Sequence, residues 1–184
     1  MTIGLTVAVS LLIQAAYKPL ESEEESGIFV DGKPAPETIA GLKADADAIV
    51  LVTYSGQQRT IACRRPCIVS TLYAFEIRNI LKSHPALPSG RRRFMLELIG
   101  GFEELPESVT RTFVYGRREP IAGHRYVIFA RRHGNTWIPA TGNAGGNESI
   151  YDVSGERATS LSTEDWDNAP PPVSQEFLDE LRRN

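Results

Sequence analysis

The chain has 184 residues, 41% hydrophobic and 23% charged, the composition of an ordinary globular protein. Two Cys, two Met and three His exclude a disulfide-dense scaffold and leave little material for a multi-ligand metal cluster, and no apolar stretch reaches the ~20 residues of a membrane-spanning helix. The net charge of −3 hides a basic middle, with +8 over residues 59–133 against −5 over residues 1–58 and −6 over residues 134–184; such a middle suits a polyanion, or acidic ends folded over basic strands, or charges that are only solvated.

Residues 3–13 (IGLTVAVSLLI) form an uncharged run of the length of a signal-peptide apolar segment, followed by Gln14-Ala15-Ala16, small enough for cleavage. A basic segment before the run is missing, so a short apolar strand or helix is the competing reading. Residues 1–16 are read as a signal peptide and the setting as extracytoplasmic, periplasmic or secreted. Residues 17–43 follow as an acidic linker or partly ordered segment, in which Glu21 to Gly27 reads as disordered because it holds little that can form a core. Residues 35–44 can make one or two helical turns, weakened by Gly41.

The body, residues 44–155, reads as strands. Residues 47–54 (DAIVLVTY) are a continuous apolar run of strand length bounded by Gly41 and Gly56. Over residues 68–81, Val69, Thr71, Tyr73, Phe75 and Ile77 alternate onto one face, with β-branched and aromatic residues that favour a strand. Phe94, Leu96 and Leu98 alternate with Met95, Glu97 and Ile99 up to a Gly100-Gly101 turn. Residues 109–115 and 125–130 supply two more strands, and residues 136–138 and 149–153 two short ones. Six or seven strands at this spacing predict an all-β barrel or sandwich. At the carboxyl end, residues 156–184 read as a Pro-rich linker and a short amphipathic helix over residues 175–183, capped by Ser174 and closed by Pro170-Pro171-Pro172 on its amino side. Phe177, Leu178 and Leu181 fall on one of its faces, which predicts docking on the barrel in preference to a free partner-binding helix.

Cys63 and Cys67 bracket Arg64-Arg65-Pro66. A three-residue hairpin loop brings its flanking residues within disulfide reach, and in an oxidising compartment a structural disulfide is the first reading. A redox or metal-binding C-x-x-x-C helped by the adjacent arginines, or two reduced thiols, are the others. His84, His124 and His133 stand at no fixed short spacing from the pair, so no metal site and no cofactor is assigned. No catalytic grouping, nucleophile elbow, zinc-protease motif or phosphate loop is present, and the Gly-rich residues 142–147 precede a strand, not a helix.

Several segments together resemble a loosely defined group of uncharacterised bacterial exported proteins. They are residues 46–50 opening the first strand, residues 72–82 (LYAFEIRNILK), the Gly100-Gly101 turn, residues 121–129 (IAGHRYVIF) and the Gly-rich turn before residues 150–153. That group is similar in layout to the OB-type barrel of netrin-like domains and tissue inhibitors of metalloproteinases. The resemblance covers about residues 44–155 and implies a five- or six-stranded barrel outside the cytoplasm. It does not imply protease inhibition, since those inhibitors place an amino-terminal Cys in the protease zinc site and an acidic segment stands here instead.

The leading expectation is a non-enzymatic exported barrel that binds a protein, glycan or small ligand at the cell envelope. The alternative is a single-strand nucleic-acid module, for which Arg91, Arg92, Arg93, Arg117, Arg118, Tyr73, Tyr115 and Phe75 offer the basic and aromatic groups of an OB groove. Those aromatics have a simpler use as barrel core, and export removes the nucleic acid. A third expectation is a thiol or metal function at Cys63 and Cys67.

Overall fold

The computed structural model describes residues 22–28, 38–64, 68–87, 93–105, 108–114, 117–140, 147–162 and 172–183. The signal-like residues 1–16, Arg91, Arg92, Tyr115 and Cys67 lie outside them. The described elements are, in order, β1 (Ser22–Ile28), α1 (Ile39–Asp45), β2 (Ala48–Arg64), β3 (Ile68–Lys82), β4 (Arg93–Ile99), β5 (Gly101–Leu105), β6 (Ser108–Val114), β7 (Arg125–His133), β8 (Thr136–Pro139), β9 (Ile150–Asp152), β10 (Thr159–Ser160) and α2 (Ser174–Arg182).

Five of the strands close a ring. β2 pairs antiparallel with β3 and β3 with β4. β4 meets β8 in parallel at Leu96 and Trp137, β8 returns antiparallel to β7, and β7 runs antiparallel to β2. Counted along the chain, the ring order is first, second, third, fifth, fourth, with the third and fifth strands parallel. The protein is all-β with an OB-like barrel, and β9 and β10 extend its sheet beyond β7.

The apolar pattern explains which strands lie where. Val50 and Val52 point into the ring together with Phe75, Leu96, Leu98, Tyr126 and Ile128, each at most 1% exposed. The residues between them on β2 and β7, Ile49, Leu51, Val127 and Phe129, point outward but are buried too. Leu42 of α1 and Phe177, Leu178 and Leu181 of α2 cover them in a second apolar cluster. Strands buried on both faces need a continuous apolar run, and β2 and β7 have one. β4 has a covered inner face and a more open outer one and alternates accordingly, whereas β3 is buried on both faces from Val69 to Phe75 except at Leu72 and alternates only beyond it.

The helices are held at their ends. Thr38 caps α1 by accepting the Gly41 N–H at 3.1 Å, and Lys82 Nζ donates to the carbonyls of Lys43 and Ala46 at its carboxyl end. α2 begins one residue earlier than expected, at Ser174 itself. The Ser174 hydroxyl donates to the Gly155 carbonyl at 2.8 Å instead of capping the helix. The helix docks on the barrel.

Two expectations are corrected. Gly56 does not end the first strand: with φ +76° it forms a bulge with Ser55 between Tyr54 and Gln57, and β2 bends and runs on to Arg64. The acidic segment at Ser22–Ile28 is a strand, paired in parallel with β6 from Ser22 opposite Ser108 to Ile28 opposite Val114. Backbone pairing along a sheet edge asks nothing apolar of the side chains, so a charged composition does not prevent it. Arg64 pairs with Ile68 and Cys63 lies one residue inside β2, while Cys67 and the Cys63 side chain, and with them the expected disulfide, lie outside the described residues.

Gly100 and Gly101 do not reverse the chain. At φ +109° and +136° they kink it from β4 of the barrel into β5, which forms a three-stranded sheet with β6 and β1. That sheet is fastened to the barrel by the Val69 N–H, which donates to Thr112 Oγ1 at 3.0 Å, and by Thr71 Oγ1, which donates to the Gly100 carbonyl at 2.7 Å.

Candidate functional site

One end of the barrel carries the polar chemistry. Tyr54 before the β2 bulge, Tyr73 and Phe75 on β3 and Tyr126 on β7 form a chain of rings with centroids 5.3–6.1 Å apart, and His124 stacks on Tyr126 at 6.5 Å. The segment between β6 and β7 lies across this end. Its Gly123 N–H donates to the Tyr54 carbonyl at 2.9 Å, and the Tyr54 N–H donates to the His124 carbonyl at 3.0 Å. The ring tips are engaged by the same segment: Tyr73 Oη donates to Glu119, and Tyr126 Oη accepts the Ile121 N–H at 2.8 Å. Arg117, its side chain 5% exposed, pairs with Glu119 at 2.7 Å and donates to the Ile99 carbonyl.

Burial, reinforced by the Glu119 carboxylate, pushes the Tyr73 phenol far above its ordinary value, and burial and Glu119 raise that of Tyr54. Burial pushes Tyr126 up to about 12. Raised in this way, the three phenols stay protonated through the physiological pH range.

His124 and Asp152 are the pair that the sequence did not suggest. His124 Nδ1 stands 2.6 Å from Asp152 Oδ2. A carboxylate only accepts, so Nδ1 carries the proton and Nε2 is the open nitrogen. Asp152 Oδ1 accepts the Ser154 N–H at 2.9 Å. Burial works against the Asp152 carboxylate, but the hydrogen bonds from His124 and Ser154 outweigh it and hold its pKa below the ordinary value. A His oriented by an Asp is the supporting half of an acid–base apparatus. No group of three or more His, Cys, Asp and Glu able to hold a metal ion occurs among the described residues.

A cleft of about 390 Å³ opens on the outer layer, between the β9–β10 connection and the start of α2. The two walls are zipped together by an antiparallel bridge between Arg157 and Val173, by the Ser174 N–H donating to the Glu156 carbonyl at 2.8 Å and by the Ala158 N–H donating to the Pro172 carbonyl at 2.9 Å. Arg125, Val153, Glu156, Val173, Ser174 and Leu178 line it. Arg125 Nη2 donates to the Val153 carbonyl at 3.2 Å, which holds the guanidinium against the cleft wall.

Of the residues expected to make a nucleic-acid groove, Tyr73, Phe75, Arg93, Arg117 and Arg118 are described and do not share one open face, while Arg91, Arg92 and Tyr115 lie outside the described residues. Tyr73 is 3% and Phe75 1% exposed, inside the ring, where neither offers a face to a base. Arg117 is spent on the plug at the barrel end, while Arg118 is exposed. Arg93 is exposed and donates to Gln57 Oε1. Arg93 starts β4 and Arg117 bonds its last residue, so they are separated by roughly 20 Å at about 3.3 Å per strand residue. The signal that could have located the His–Asp pair is Asp152-Val153-Ser154-Gly155, an Asx-turn pattern that fixes a carboxylate at the end of a strand. Compared with protein families, with curated proteins and with solved structures, the chain finds no match.

Proposed function

We propose that the chain is a non-enzymatic interaction module of the cell envelope that takes its ligand on the outside of the barrel, in the cleft between the β9–β10 connection and α2. The observation that carries this reading is the filled interior. Val50, Val52, Phe75, Leu96, Leu98, Tyr126 and Ile128 occupy the ring at 0–1% exposure, and the tips of Tyr73 and Tyr126 are held by the plugging segment. A barrel closed in this way leaves recognition to its surface, and the cleft falls in the size range of small-molecule sites. The extracytoplasmic setting is supported by the uncharged run of residues 3–13 and the small Ala15-Ala16 after it. The His124–Asp152 pair is read as a latch between the start of β7 and β9, since none of its hydrogen bonds orients a nucleophile.

The test is amide-resolved NMR of the labelled chain with a fragment library, together with a hydrolase panel on the same sample. Saturable shifts confined to the β9–β10 connection and the first turn of α2 are expected. Shifts mapping to the barrel end would overturn the cleft, and turnover abolished by His124→Ala would overturn the non-enzymatic reading.

A further inference from the structure

We propose that the cleft between the β9–β10 connection and α2 takes a small carboxylate with a short apolar body, held by Arg125. This rests on the interaction-module reading and names the ligand class for its site.

Arg125 leaves β7 on the outer face, and a single Nη2 bond to the Val153 carbonyl orients its guanidinium. Its other guanidinium N–H groups meet no acceptor among the described residues. An arginine fixed at one corner presents the rest of its fork in the geometry that suits a carboxylate, two parallel N–H···O bonds.

Beside the polar Ser174 and Gln175, the lining has an apolar part in Val153, Val173 and Leu178. Val153 and Leu178 belong to the cluster beneath α2, and Val173 keeps 40% of its surface open, one of three large hydrophobic residues exposed to that degree among the described residues. A cavity with an apolar floor and a few placed polar groups is the usual form of a small-molecule site, and 390 Å³ is near the lower end of the usual size range. A body of a few carbons covers Val173 while its carboxylate reaches Arg125.

The probes are hexanoate, hexanol and hexylamine, titrated into the labelled full chain and followed through the amides of Val153, Gly155, Glu156, Gln175 and Leu178. Hexanoate is expected to shift them saturably, with hexanol and hexylamine at least about tenfold weaker, the factor that corresponds to about 1.4 kcal/mol. Arg125→Gln is expected to remove that preference. Val173→Asp, an exposed substitution that places a negative charge on the wall, is expected to weaken hexanoate and spare hexylamine. Equal shifts from hexanol, or an Arg125→Gln chain that binds hexanoate as the parent does, overturn the carboxylate assignment and leave the cleft as an interaction site. Silence of the cleft amides toward all three probes and toward the fragment library overturns both readings together.

Discussion

His124 Nδ1 and Asp152 Oδ2, 28 residues apart in the chain, meet at 2.6 Å and tie the start of β7 to β9. The Asp152 pKa is lowered in the folded protein, so the pair contributes stability that is full above the unfolded carboxylate value and is lost as pH falls through the folded one. Asp152→Asn is expected to cost about 1–2 kcal/mol at neutral pH, the scale of a partly buried hydrogen bond to a charged group. Melting temperatures of parent and variant should converge as the pH is lowered below about 4, near the unfolded carboxylate value. A gap that stays constant from neutral pH to pH 3 would show that the carboxylate charge contributes nothing.

Gly101 and Gly123 separate backbone strain from steric overlap. Both have positive φ, +136° and +84°, so an added Cβ strains either one. At Gly123 the new atom meets nothing within 4 Å, whereas at Gly101 it falls on Thr71 Oγ1, whose hydroxyl holds the Gly100 carbonyl. Gly123→Ala is expected to cost about 1 kcal/mol, and Gly101→Ala at least about 2 kcal/mol more through the broken Thr71 bond and the overlap. Denaturant midpoints measure both. Equal losses would contradict the close approach of Gly101 to Thr71.

How far the fold is legible in the sequence depends on which information is local. Alternation from Val69 to Ile77 and from Phe94 to Ile99 is a short-range property, and those strands read directly. The closure of the ring rests on a parallel pairing of β4 and β8 at Leu96 and Trp137, 41 residues apart, which no periodicity announces. The same limit explains Tyr73. Period two assigns Tyr73 and Phe75 to one face but does not say whether that face is the inside of a barrel or an open groove. The cleft is assembled from Arg125, the β9–β10 connection and the start of α2, three segments with no shared motif. The docking of α2 was legible because Phe177, Leu178 and Leu181 follow helical spacing and a helix this short needs a surface to stand on.

That docking can be measured at Phe177. Its ring is 1% exposed and lies 5.0 Å from the Tyr151 ring, in the apolar layer shared with Ile49 and Phe129. Phe177→Ala is expected to cost about 3–5 kcal/mol. Glu180→Ala, on the exposed side of the same helix, is expected to change stability by less than about 0.5 kcal/mol. If both left the melting curve unchanged, α2 would not be part of the barrel's cooperative unit.

Tyr73 offers a test at the barrel end that does not depend on a ligand. Its hydroxyl donates to Glu119, which Arg117 holds at 2.7 Å, so removing the hydroxyl leaves the carboxylate one partner and takes away a donor from inside the ring. Tyr73→Phe is expected to cost about 1–2 kcal/mol at neutral pH. Because the folded phenol titrates well above its ordinary value, this stability is fully present below the unfolded phenol pKa and is lost as pH rises toward the folded one. The parent should therefore lose stability on the alkaline side faster than Tyr73→Phe. Absorbance titration resolves the same groups. Tyr54, Tyr73 and Tyr126, half of the six tyrosines, should ionise later than ordinary phenols, and the variant should show one late phenol fewer. Were Tyr73 open to a ligand in a groove, it would ionise in the ordinary phenol range, and the variant would lose one early phenol instead.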